Sequence, residues 1–422
     1  MDVDGAGTRI AVLVLAMLTL AIPVSYLEDL VAEELSTTAS RVFSYAAESF
    51  TSLLPVELRI QELVEEVKEG VESIRGLEFT EPVRVMVINT SWAIEAWAPK
   101  EEQGIPLELL YKELVYKLTL LIPFNRSIVQ AERTWVGMFL AATAGNTIYV
   151  NTDYFDPDSP GSRNVLAHEL THILQGMYFS LQCGETTDAS LACSALVEGD
   201  AGWTQHLYCT ETGLCTPSPP TELYLEDLYV SLNLFPYIYG ERFVRFLYEL
   251  GGWSLVNRAY EKPPVSTLMV MYPEKYLDYL YRDEGVPVEP AISGEPGGEL
   301  VYSDTLGPYY ILLVLAKRIG VEKAESIIQY WIGDRVELYK AVDSSAKTWI
   351  LVWNVTWSRA DYAEYFYGNF SLVLAEHGEL VEASENRVLV EAALENGTRV
   401  SFALILSNSY ILLRAEYVEG GS

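Results

Sequence analysis

Positive charge is scarce in this chain of 422 residues: 28 lysines and arginines stand against 59 aspartates and glutamates, a formal net charge of −31. A surface of that sign repels nucleic acid and anionic membranes, which excludes both as partners of the folded body. There is no low-complexity tract and no internal repeat. The acidic residues are spread along the chain among 28 tyrosines and 9 tryptophans rather than gathered in a tail, which excludes an acidic disordered protein. Glutamine is sparse, at seven residues, a bias towards a thermophilic source. Histidine and cysteine are scarcer still, with four of each.

What is present is enough apolar material, 50% of the chain, to bury a large core in one big domain or two. After Arg9 comes "IAVLVLAMLTLAIPVSYL", which suits a secretory signal core over residues 10–22, with small residues for cleavage at Thr19–Leu20–Ala21. Uncleaved, the same run is just long enough to anchor the chain in a bilayer, the one expected membrane attachment. The expected layout is a signal peptide or anchor (1–26), an N-terminal helical region (27–80), a main domain (81–340) and a C-terminal α/β segment (341–422).

Hydrophobic spacing predicts helices before and after Pro55, a buried strand at 82–89 and a helix at 106–120. Two strands are predicted at 135–142 and 147–155, joined by a hairpin turn at Thr143–Asn146. A loop at 156–162 leads into a helix that carries two histidines. Further helices follow, including one at 306–320, and strands alternate at 347–356, 387–394, 398–406 and 410–418 around a helix near 359–375.

The cysteines form two tight pairs, Cys183 with Cys193 and Cys209 with Cys215, which predicts two local disulfides; neither pair has the CxxC spacing of a zinc cluster. Five of twelve asparagines sit in Asn-x-Ser/Thr sequons: Asn89, Asn125, Asn354, Asn369 and Asn396. Together with the leader these features point to an extracellular or cell-surface protein, glycosylated at those asparagines.

The chemistry is concentrated in "HELTH", residues 168–172. Positions four apart share one helix face, so His168 and His172 can present two imidazoles to one cation, while Glu169 is rotated by about 100° and can reach a metal-bound water as general base. Such a pattern arises by chance in roughly one in three hundred chains of this composition. A third protein ligand is needed. Six residues after His172 stands Tyr178, which excludes a third histidine there. Asp188 and Asp200 are available, but Glu198, 26 residues after His172 in "ALVEGDAGWTQHLY", is the best candidate, because Gly199 behind it lets a partner helix approach. His206, about 80° round the same helix from Glu198, is the first candidate for stabilising an oxyanion, with Tyr208 second. His377 reads as a solvated helix-end histidine.

HELTH followed by a glutamate on a later helix resembles the gluzincin group of zinc metallopeptidases, and the Glu-Gly-x-Ala run at 198–201 is similar to the third-ligand segment of the zinc aminopeptidases. Segments like HELTH and EGDA also occur in uncharacterised bacterial and archaeal proteins. The resemblance covers about residues 135–210. It implies His168, His172 and Glu198 as ligands of one zinc ion, Glu169 as catalytic base, and "TIYVN" as the edge strand that pairs with an extended substrate. The sequence departs from the group in two places. Gly202 stands where thermolysin-like enzymes place an acidic residue to orient a zinc histidine, leaving Asp200 or Gln205 for that task, and the aminopeptidases' Gly-x-Met-Glu-Asn motif is absent. The expected fold is α+β and zincin-like: mostly helical, with a small mixed sheet whose edge strand precedes the HExxH helix, and a strand-rich C-terminal segment. The expected function is hydrolysis of peptide or protein substrates, the alternatives being an inactive surface or binding protein of the same fold and a zinc amidohydrolase acting on a non-peptide substrate.

Overall fold

The computed structural model describes residues 55–97, 105–135, 138–292, 297–342 and 347–420. The segment read as signal or anchor, 1–26, lies outside these. Among the described residues no helix is long and apolar enough to cross a membrane. The chain divides into units Met1–Leu63 and Val64–Ser422. Of the first, only 55–63 is described, the opening of helix α1 (Val56–Arg75).

The second unit is mixed α and β, with a small sheet and a large one. The small sheet joins β1 (Arg84–Ile88), β2 (Ala141–Ala144) and β3 (Thr147–Asn151) in the order β1-β3-β2. Strand β3 is parallel to β1 and antiparallel to β2, so the sheet is mixed. The turn between β2 and β3 is tighter than the sequence suggests, two residues, with Gly145 at a φ of 57° that a side chain would resist. Two expectations are corrected here. Residue 135 ends a helix, Ile128–Trp135, residues 138–140 are not strand, and β2 begins only at Ala141, because an apolar run that short does not reveal its own period. And "TIYVN" is the central strand; the edge next to the histidine helix is β2.

That helix, α2 (Pro160–Tyr178), starts where Ser159 accepts the Gly161 N–H and Pro160 takes the first helical position. It packs beside α3 (Thr187–Thr212), which carries Glu198. Helix α4 (Phe235–Glu261) crosses α3 with the two backbones in contact. A Cβ on Gly199 would lie 2.2 Å from the Gly240 carbonyl oxygen, and one on Gly240 would lie 2.4 Å from that of Ala195. No side chain other than hydrogen fits at either position, so the glycine after Glu198 does set a close helix approach.

The large sheet is antiparallel throughout, in the order β4-β5-β6-β10-β9-β8-β7. It runs from β4 (Glu299–Asp304) and β5 (Trp331–Lys340) through β6 (Thr348–Trp357), β7 (Glu379–Ala383), β8 (Arg387–Ala393) and β9 (Arg399–Ser407) to β10 (Tyr410–Val418). It therefore draws two strands from before residue 341. Asn354, read as a sequon on the surface, is buried in β6 with its amide donating to the Ala291 carbonyl, so the folded chain has no room for a sugar there. Asn369 is half-buried, its amide donating to Tyr365, whereas Asn89, Asn125 and Asn396 are exposed.

Three buried aspartates tie the sheet to helices and one helix to another. Asp304 accepts the Thr187 N–H (2.7 Å) and hydroxyl (2.6 Å) at the start of α3. Asp188, one residue on, accepts from the backbone and hydroxyl of Thr267. Asp334 takes the N–H groups of Leu306 and Gly307 and two indole donors, Trp331 and Trp353. Burial raises the Asp188 carboxyl to about 7 against the lowering by Thr267 and Ser266, helped by the charge of Asp334. The fold thus favours the protonated acid: the stability Asp188 contributes is full below about pH 4 and is lost as pH rises through about 7. Replacing it with asparagine removes that titration. Chemical unfolding at pH 5 and pH 8 should therefore show a stability difference smaller in Asp188→Asn than in the wild type, by on the order of 2–3 kcal/mol; equal differences would show that Asp188 does not carry it.

Candidate metal centre

One turn of α2 puts His168 and His172 edge to face, ring centroids 4.7 Å apart. Their Nε2 atoms converge on one carboxylate oxygen of Glu198, at 3.1 Å and 3.5 Å. Among the described residues this trio alone offers three metal-ligating atoms within 4.8 Å of one another. Each side chain keeps about a fifth of its surface exposed, enough for a fourth position to face a reactant.

The electrostatics of the trio favour positive charge. Burial acts to raise the Glu198 pKa, but hydrogen bonds and charge from both histidines hold the carboxyl well below the usual range. Burial acts to lower that of His172, but Glu198, the charge of Glu169 and the Gln175 side chain raise it to about 9. A proton on His172 supplies the positive charge; a divalent cation bound between the three groups would displace it. Two imidazoles and a carboxylate are a donor set that fits zinc and other divalent first-row metals.

The other candidates are sorted by the same geometry. Asp188 is committed to Thr267, and Asp200 to Arg75, so neither is a ligand. Tyr208 is buried with its ring against Gly70 of α1, facing away from the trio. His206 stacks on Trp203, with its Nδ1 3.1 Å from Glu241 of α4. It lines, with His168, Glu198, Gln205, Tyr237 and Glu241, a cavity of about 180 Å³. That cavity shares a wall, including Tyr237, with a cleft of about 630 Å³. His377 lies past a helix end, exposed, its ring against the Val373 carbonyl.

Glu169 is nearly buried, and the Thr143 hydroxyl of edge strand β2 donates to its carboxylate at 2.8 Å. Behind the histidines stand two glutamines. Gln205 meets His168 Nδ1 at 3.0 Å, and Gln175 meets His172 Nδ1 at 2.9 Å. The Gln175 amide also donates to Asp200, which is held by Arg75 from the last turn of α1 and by the Tyr260 hydroxyl. The absence of an acid at Gly202 is thereby made good from elsewhere. A Cβ on Gly202 would lie in ordinary contact, 3.6 Å, with Glu241 of the crossing helix, so an acid there would stand beside another carboxylate.

Tyr237 is a neighbour the sequence reading missed. Phe235, Tyr239, Phe243 and Leu247 form the buried stripe of α4 at spacing four, and Tyr237, two residues along, points the other way and is 48% exposed. Burial, together with the charge and hydrogen bonding of Glu198, raises its hydroxyl pKa, so it is a neutral donor at the cavity. The signal was there in the spacing, hidden in a run of tyrosines and leucines that otherwise packs as core. Both disulfides are formed, Cys183–Cys193 and Cys209–Cys215, and each has one cysteine on α3, on either side of Glu198.

Residues 137–177 match the model of the eCIS core domain, described as metallopeptidase-like. The match covers about a tenth of the chain, takes in β2, β3 and HELTH, and stops before Glu198. It supports, coarsely, a peptidase-like hydrolase. No curated protein and no solved structure matches the chain.

The buried ion pair yields a direct test. Arg75→Met should leave Asp200 charged and unpaired, lowering the unfolding free energy by about 3–5 kcal/mol, and the double variant with Asp200→Asn should recover much of it. Denaturant titration of the three variants checks this; an Arg75→Met loss no larger than a surface substitution would contradict it.

Proposed function

We propose that this chain is a secreted or surface-anchored zinc metallopeptidase. The observation that carries the reading is the convergence of His168, His172 and Glu198 at one point beside the restrained carboxylate of Glu169. When bound, zinc would supply Lewis-acid polarisation of the scissile carbonyl and lower the pKa of a water. Glu169 would take a proton from the attacking water and deliver it to the departing amine nitrogen. Its bond from Thr143 would keep one carboxylate oxygen directed.

Tyr237 and His206 line the cavity beside His168 and Glu198 and would serve as donors for the oxygen that gains charge as the carbonyl becomes tetrahedral. Glu241 holds His206 by Nδ1, which leaves Nε2 to face a reactant. Two features favour a polypeptide over a small amide. Among the described residues strand β2 pairs with β3 on one side only, so its other edge would offer backbone groups to an extended chain. The cleft beyond Tyr237 has room for side chains on one side of the cut bond. The two disulfides and the exposed sequons at Asn89, Asn125 and Asn396 agree with work outside the cell.

Glu169→Gln should lower cleavage of an unfolded protein such as casein by about 10²–10⁴-fold while metal content stays at the wild-type level; undiminished cleavage would end the catalytic reading. Tyr237→Phe should lower kcat by about 10²-fold with KM little changed. A kcat equal to wild type would transfer the oxyanion role to His206.

A further inference from the structure

The side chains behind the two histidines are amides, where a carboxylate would be the commoner partner of a metal-bound imidazole. For His172 the orientation is fixed by chemistry. The Gln175 Nε2 donates to the Val197 carbonyl (2.9 Å) and to Asp200 (3.2 Å), neither of which can donate in return. Its Oε1 is therefore the atom facing His172 Nδ1, which must carry the hydrogen, so Nε2 is the nitrogen turned to the centre and the one a cation would bind once its proton is displaced. For His168 the arrangement repeats. Gln205 Nε2 donates to Ser218 Oγ at 2.9 Å, Asn164 donates to the same oxygen at 2.9 Å, and Gln205 Oε1 faces His168 Nδ1 at 3.0 Å. The loop that carries Ser218 begins directly after the Cys209–Cys215 disulfide, which ties it to the end of α3.

We propose that Gln205 and Gln175 are positioning residues that fix both imidazoles as Nε2 ligands and, being uncharged acceptors, keep those imidazoles less basic than carboxylate partners would. The inference rests on the metal-centre reading above. A hydrogen bond to a carboxylate pushes electron density into an imidazole and strengthens its bond to a metal; a neutral amide orients the ring as well but pushes less. The centre is then ordered but only moderately tight, and a cation held there keeps more of its positive character. The Val197 carbonyl and Asp200 behind Gln175 serve to prevent that amide from flipping. An amide turned over would present N–H to N–H and push the ring out of line.

Gln205 is the residue on which to test this, because its partner Ser218 is a hydroxyl that can accept from an amide or donate to a carboxylate. Gln175 is unsuitable, since a carboxylate there would face Asp200. The dissociation constant for zinc is read by competition with a chromogenic chelator for the full chain and for Gln205→Glu and Gln205→Ala, with thermal unfolding of the metal-free forms alongside. The expected results are about tenfold tighter binding for the glutamate variant and about 10–100-fold weaker binding for the alanine variant. Opposite signs are the signature, because mere loosening of the fold would weaken binding in both. If the wild type binds zinc and both variants bind with the wild-type constant, or both more weakly, the inference is overturned while the metal centre stands. If the wild type itself binds no zinc, the metal-centre reading fails first.

Discussion

The site depends on one ion pair that never meets solvent. Arg75, at the end of α1, lies 1% exposed against Asp200, which is fully buried, with contacts of 2.9 Å and 3.2 Å. The guanidinium is also stacked over Trp253, its centre 4.3 Å from the ring, with Phe179 on its other flank at 5.6 Å. Asp200 follows Glu198 by two residues on a helix, so the two carboxylates point to opposite sides of α3. One faces the histidines and the other faces the anchor. Through Gln175 the anchor reaches His172, so the ring that meets a cation is held by a chain of bonds ending in a buried cation of the protein's own. The end of α1 is consequently part of the site's frame; cutting it away would strand a charge in the core.

Close backbone contact does for position what the ion pair does for orientation. With hydrogen alone between α3 and α4 at Gly199 and Gly240, the first turn of α4 lies across Glu198. That crossing brings Tyr237 and Glu241, three residues before Gly240 and one after, to the wall of the cavity. Neither would be there if the helices packed at the usual separation of 8–10 Å.

Much of this was legible in the sequence, for reasons that differ from residue to residue. His168, Glu169 and His172 could be read because a helix converts a spacing of four into a shared face. Glu198 could be read because Gly199 marked a close approach, and the cysteines because their loops are short. Of the large sheet, β6, β8, β9 and β10 were found from the sequence, whereas β4, β5 and β7 were not; β5, buried along most of its length, has no alternation to find. The partners of the histidines were only half visible. Gln205 was a candidate, but Gln175, Thr143 and Tyr237 reach the site through tertiary packing, and no local spacing specifies that α4 crosses α3 at Gly240. Asn354 shows the reverse: a sequon is local and burial is not.

The central claim is that His168, His172 and Glu198 hold one cation between them. Diffraction from crystals of the chain grown with zinc, collected on both sides of the zinc absorption edge, tests it most directly. The account predicts a single strong anomalous peak within bonding distance, about 2.0–2.2 Å, of both Nε2 atoms and of a Glu198 oxygen. A peak bound elsewhere, or none at these three residues, would contradict it.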